Sequence, residues 1–255
     1  MQIFFIFLLG LSIGSFLNVL IDRLPRGKNV ITGRSVCDYC KKTLRWFELI
    51  PLLSFFLQGG RCRRCKKHLS WQYPLIELVT GVGFAGIALQ SQALAFPQSL
   101  ALVGWLLVFG SLLVIFVADF KYQIIPDSMV VLGIIGGIGI LQSQALEFPQ
   151  SLALWLSAMG ASTFFFLLFL ITRGRGMGLG DVKLAFLMGL LLGFPKIIVA
   201  SYLAFLTGAM VGVILILVGK KKLKERIAFG PFLVAGTVIA LIWGQQLIKW
   251  WGGML

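Results

Sequence analysis

Residues 100–119 read LALVGWLLVFGSLLVIFVAD, nineteen residues without a charge followed by an aspartate. An apolar run of about this length is what an α-helix needs to cross the ~30 Å hydrocarbon layer of a bilayer. Working outward, comparable runs recur at about 1–21, 74–90, 128–141, 151–171, 182–193, 197–218 and 229–248. The pattern predicts an all-α polytopic membrane protein with about eight transmembrane helices. Three of these runs, 128–141, 182–193 and marginally 74–90, are short for a full crossing. They are expected to tilt, to borrow flanking residues or to line a protein-walled cavity. Composition agrees: 58% of the residues are hydrophobic and the mean hydropathy is +0.95, whereas a soluble domain is about half apolar.

The first run starts at Met1 with no basic segment ahead of it, and positive charge follows it from Arg23 onward. It reads as a retained first helix with its N-terminus outside rather than as a cleaved leader. Eight spans from that start put segments 22–73, 119–127, 172–181 and 219–228 in the cytoplasm. Those segments hold nearly all the Arg and Lys, including the 220–226 cluster, while the outer face keeps Lys196 and Lys249. The net charge of +14 is then topology plus attraction to anionic membrane lipid. Nucleic acid is not expected as a partner, because no basic recognition helix or stacking motif accompanies the charge. Trp250 and Trp251 fit an interfacial belt. A duplicated stretch, Leu89–Leu102 and Leu141–Leu154, differs only in Ala95 against Glu147. It makes two similar outer turns, each with a proline (Pro97, Pro149), and carries no evident chemistry. No feature of the sequence sets an oligomeric state.

The one sizeable segment outside the spans, 22–73, holds all four cysteines and the only histidine. The expected organisation is a first transmembrane helix (1–21), a basic cytoplasmic domain (22–73) and a transmembrane bundle (74–255). Cys37-Asp38-Tyr39-Cys40 and Cys62-Arg63-Arg64-Cys65 are two CxxC knuckles, and four thiolates so spaced can enclose a tetrahedral zinc ion. Disulfides are the competing reading, disfavoured on the reducing cytoplasmic side. With four protein ligands the zinc would be structural, leaving His68 as a surface residue. A segment this short needs such a staple, since its core alone is too small.

Acids are few. Glu225 sits in a basic loop and Glu147 in an outer turn, where water can solvate them; Asp22 and Asp38 have basic neighbours. Asp119 and Asp181 differ. Asp119 closes an apolar run and opens DFKYQIIPD; Asp181 closes the glycine-rich GRGMGLGD and then enters a span. Both fall at the same, cytoplasmic mouth of membrane helices, where an ionisable residue is costly and therefore a functional-site candidate. Two carboxylates brought together share one proton, so one can activate water while the other activates a carbonyl. Each taken singly could instead be a helix N-cap or a mate for Lys121 or Lys183. No phosphate-binding glycine pattern can be placed in the glycine-rich run. A Ser-His-Asp set would have to draw on His68 within the cysteine domain, and a Ser-Lys dyad has no distinguishing context.

Taken in order, further motifs run nearly the whole length: Gly14-Ser15-Phe16-Leu17-Asn18-Val19 with Arg23 and Pro25, Trp46–Ser54 between the knuckles, Tyr73-Pro74 and Glu77, Ile125-Pro126-Asp127, Gly178-Leu179-Gly180-Asp181 with Lys183, and Phe229-Gly230-Pro231-Phe232. In this combination the chain resembles the bacterial prepilin peptidases, or type IV leader peptidases, which are GxGD membrane aspartyl proteases. The resemblance implies a multi-pass protein of the bacterial inner membrane that removes the short basic leader of prepilins and pseudopilins after a glycine, on the cytoplasmic side. It implies Asp119 and Asp181 as the catalytic pair, with Asp127, Gly178, Gly180 and Lys183 in support, and Cys37, Cys40, Cys62 and Cys65 as zinc ligands. It also implies S-adenosylmethionine-dependent N-methylation of the new N-terminus, with no segment here that identifies the cofactor pocket. The rival readings are a methyltransferase without protease activity, a small transporter with intramembrane acids, and a zinc-ribbon membrane adaptor.

Overall fold

A computed structural model describes residues 1–30, 32–37, 39–93, 99–144, 148–174, 176–219 and 227–252. Asp38, Arg175, the 220–226 basic cluster with Glu225, the centres of the two duplicated turns (94–98 and 145–147, with Pro97 and Glu147) and the Trp251 side chain lie outside the described residues.

The elements in order are α1 (Gln2–Arg23), α2 (Leu53–Leu57), α3 (Gln72–Ala93), α4 (Ser99–Tyr122), α5 (Asp127–Ser143), α6 (Phe148–Ile171), α7 (Leu179–Leu192), α8 (Lys196–Leu217) and α9 (Gly230–Gly252). Setting aside the five-residue α2, these are the eight helices expected from the apolar runs. Among the described residues there are only two isolated antiparallel bridges, Val36 with Thr43 and Arg61 with His68. Among the described residues six helices are long and apolar enough to cross a bilayer: α1, α3, α4, α6, α8 and α9. The chain is thus a multi-pass membrane protein. The run at 74–90 gains its missing length from flanking residues, since α3 extends from 72 to 93. By contrast α5 has 17 residues and α7 has 14, about 25 Å and 21 Å of helix at ~1.5 Å per residue.

The chain forms two compact units, residues 1–110 and 111–255. In the first, α1 packs along α3 with backbones almost touching: a Cβ on Gly10 would lie 2.8 Å from the Gly81 Cα, and one on Gly14 2.7 Å from the Glu77 Cα. Small residues at such crossings let membrane helices gain dispersion contacts where no hydrophobic effect is available. Asn18 is buried there, donating through Nδ2 to the carbonyl oxygens of Gly14 and Tyr73.

In the second unit α6 lies along α7 and α8 along α9, and α7 also touches α5, α8 and α9. Nine of the fourteen α7 residues are buried. A helix largely enclosed by other helices need not match the thickness of the lipid, which accounts for its brevity. A Cβ on Gly189 would lie 2.5 Å from the Ala158 Cα of α6, so α7 is held at backbone contact and its N-terminal end is fixed in place.

Candidate active site and cysteine cluster

Asp119 lies in the last turn of α4. An anion is disfavoured there, because the carboxyl end of a helix is the negative end of its dipole. Its partner explains the placement: the backbone N–H of Gly230, the first residue of α9, donates to Asp119 Oδ2 at 2.8 Å. The positive end of α9 thus offsets the negative end of α4. Glycine lets the two approach this closely, since a Cβ on Gly230 would lie 2.8 Å from that same oxygen and push the carboxylate back.

Asp181 occupies the first turn of α7, following Gly178 at the N-cap. The Gly178 N–H donates to Asp181 Oδ2 at 2.9 Å, and the Asp181 N–H returns a bond to the Gly178 carbonyl at 3.2 Å. This reciprocal pair is the backbone logic of a capping box, so one oxygen performs the bland structural role open to any aspartate at a helix start. The other, Oδ1, is buried with no hydrogen-bond partner. Capping does not explain that atom, and a buried unpartnered acceptor is costly.

Both carboxylates are buried, Asp119 to 5% and Asp181 to 7% exposure, and both line one cavity of about 150 Å³. Gln123, Ile125, Gly178, Gly180 and Phe229 are among the residues that share its wall. Ile125 sits under the junction of the helices. A Cβ on Gly180 would lie 2.9 Å from the Ile125 Cβ, and one on Gly230 3.2 Å from its Cδ1.

Of the expected site residues, Asp119, Asp181, Gly178 and Gly180 come together at this cavity. Lys183 and Asp127 do not line it. The Lys183 Nζ lies 2.8 and 2.7 Å from the two Asp127 carboxylate oxygens, tying the first turn of α5 to α7 with half or more of each side chain exposed. Of the suggested mates of the two acids, Lys183 pairs with Asp127, and the Lys121 Nζ lies 5.2 Å from the Tyr122 ring. Gly230 and Ile125 were not singled out from the sequence as site residues. A signal for Gly230 was present, as glycine then proline at the head of an apolar run marks a helix start.

In the first unit the two knuckles repeat each other 25 residues apart. Cys37 N–H donates to the Lys42 carbonyl and Lys41 N–H to the Cys37 carbonyl; Cys62 with Lys67, and Lys66 with Cys62, do the same at 2.9–3.0 Å. Lys41 and Lys66 both adopt positive φ, 56° and 58°, closing each turn so that its cysteines point one way. The four Sγ atoms lie within 4.8 Å of one another, with Cys37 and Cys65 3.9 Å apart. That spacing is far from a ~2.05 Å disulfide bond and close to the ~3.8 Å edge of a tetrahedron with ~2.3 Å metal–sulfur bonds. The cluster can hold a metal ion. Backbone N–H groups of Cys65 and Arg64 hold the Cys62 thiol down at about 7, while burial pushes Cys37 up to about 11. His68 stands outside the cluster and is exposed, as expected.

Fold and site together define a class: a multi-pass helical membrane protein with two buried aspartates, one in a GxGD sequence, at a single cavity. Residues 106–213 match the family model for the type IV leader peptidase family, and residues 8–91 match that for the bacterial peptidase A24 N-terminal domain. The chain is 32% identical over 250 residues to a prepilin leader peptidase/N-methyltransferase of Bacillus subtilis (strain 168), covering 96% of each. It is 31% identical to proteins of the same name from Burkholderia pseudomallei (strain 1026b), covering 99% of this chain and 89% of that one, and from Pseudomonas aeruginosa, covering 95% and 90%. No solved structure matches it. The chain belongs to the type IV leader peptidase family.

Proposed function

We propose that the chain is a prepilin leader peptidase of the bacterial inner membrane: an aspartic endopeptidase that cuts prepilins and pseudopilins after a glycine, on the cytoplasmic side, and N-methylates the residue it exposes. The observation that carries the reading is the cavity shared by Asp119 and Asp181, each held through one oxygen by the N–H at the head of a helix. Two carboxylates facing one cavity cannot easily both ionise, so they share a proton. The ionised carboxylate takes a proton from water as the water oxygen bonds to the carbonyl carbon, and the protonated one gives its proton to the carbonyl oxygen. The C–N bond then breaks as its nitrogen accepts a proton. The products are a leader ending in a glycine carboxyl and a pilin with a free amine. Backbone anchoring keeps the acids in place without reorganisation during the reaction. Asp127 and Lys183 support the site by tying α5 to α7, and Gly180 by allowing α7 to seat on Ile125.

Methylation of the freed amine uses S-adenosylmethionine as its methyl donor. The relatives' shared name supports this second activity. We assign it to the 22–73 domain, between the first helix and the 74–255 peptidase bundle. Separate family models for residues 8–91 and 106–213 support that division. Cys37, Cys40, Cys62 and Cys65 would hold zinc as a structural ion, since four thiolates leave no position open for water.

The test is mass spectrometry of a prepilin co-expressed with the chain. Loss of the leader together with the added mass of one methyl group is the expected result. Methylation with the leader intact would favour a methyltransferase alone; an unmodified prepilin would overturn both activities.

A further inference from the structure

The stretch Trp46–Leu57, between the two knuckles, turns large apolar side chains outward: Phe56 is 63% exposed and Leu57 77%, with Trp46 and Leu53 also exposed. Its position along α3 is set by two contacts. The Leu52 N–H donates to Glu77 Oε2 at 2.8 Å, and the Phe55 ring packs 5.1 Å from the Trp71 ring. Trp71 immediately precedes α3, and Glu77 is five residues into it, within the candidate span Gln72–Gln90. Five residues of helix amount to about 7.5 Å. The backbone at Leu52 therefore lies level with the second turn of a membrane-crossing helix. That matches the depth of ~5–10 Å at which amphipathic segments rest in the headgroup and acyl boundary.

Charge identifies the lipid. Residues 22–73 carry twelve Arg and Lys against three acids. A cavity of about 510 Å³ beside α2 is lined by Phe47 and Leu57 together with Arg61, Arg63 and Lys66, and the Arg63 guanidinium sits 5.5 Å from the Phe47 ring. Apolar rings next to several cations suit a phospholipid whose headgroup is negative. A basic peptide would be repelled.

We infer that Trp46–Leu57 is an interfacial anchor: it lies in the headgroup layer beside α3, and the adjoining basic cavity engages anionic phospholipid. The anchor holds the cysteine domain down on the membrane surface. It rests on α3 being a span and is independent of the peptidase chemistry.

The test uses the full-length protein in nanodiscs. F56W adds an indole to the exposed face of α2, and subtracting the wild-type signal isolates it. With lipids brominated near the top of the acyl chain, the added fluorescence should fall at least twofold, and aqueous acrylamide should quench it weakly. Replacing anionic by zwitterionic lipid, or introducing Arg61→Gln with Arg63→Gln in anionic discs, should reduce the bromolipid quenching. Quenching by acrylamide with none by bromolipid overturns the inference, as does shielding that appears only when prepilin is added. Equal bromolipid quenching in anionic and zwitterionic discs overturns the anionic-lipid part. Prepilin cleavage, measured on the same discs, reports separately on the proposed function.

Discussion

Replacing Gly230 with alanine isolates the positioning of Asp119 from its chemistry, because the carboxyl group remains. The new Cβ would lie 2.8 Å from Asp119 Oδ2 and 3.2 Å from its Cγ, where ordinary contact begins at 3.4 Å. The carboxylate must retreat by about 0.6 Å or the start of α9 must swing away, and the 2.8 Å bond from the Gly230 N–H suffers either way. Misplacing a reacting group by ~1 Å costs about 10²-fold in rate, or about 2.7 kcal/mol of barrier. The assay is the cleavage rate of a prepilin at saturating concentration in proteoliposomes, alongside thermal unfolding to show that the variant is folded. A fall in kcat of the order of 10²-fold with little change in KM is expected. Gly160→Ala is the control, since a Cβ there meets nothing within 4 Å. A folded G230A that cleaves within threefold of the wild-type rate would refute the idea that this N–H places the acid.

The two glycines of the GxGD sequence should respond differently: Gly178→Ala is expected to keep most cleavage, its Cβ standing 3.6 Å from Asp181 Oδ2, whereas Gly180→Ala drives into Ile125 at 2.9 Å and should lose it; rates from the same proteoliposome assay compare them. Lys183→Met removes an exposed pair worth about 0–1 kcal/mol, so it should lower Tm by only a few degrees, and a large loss of stability would show the pair to be more deeply coupled than its exposure indicates. One zinc per chain by elemental analysis is expected, lost in Cys62→Ser. The ion should also bind more weakly as pH falls, because ligation requires thiolates and protons compete with the metal for them. Leader cleavage should survive Cys62→Ser, as every residue lining the aspartate cavity lies outside the cysteine domain.

The helices were legible because a bilayer demands long apolar runs, and the eight runs became eight helices with ends shifted by a few residues. What hydropathy could not convey was which short helix is largely enclosed by protein; most of α7 is buried, and the contact of its Gly189 with α6 is long-range. The cysteine knuckles were readable from local spacing, since each turn closes on its own backbone. Asp119 and Asp181 stood out by the cost of their position, but the hand that holds Asp119 did not. Gly230 is 111 residues away, and only folding brings a helix start to that carboxylate. The peptidase family model itself ends at residue 213, short of this glycine.

The central claim is that Asp119 and Asp181 act as one shared-proton pair. Its most direct test is the rate of leader removal by Asp119→Asn, Asp181→Asn and the double variant, each reconstituted with prepilin, with thermal unfolding confirming the fold. Each single change should abolish cleavage as completely as both together, because residues that act as one unit are not additive. A folded Asp181→Asn that processes prepilin at the wild-type rate would contradict the account.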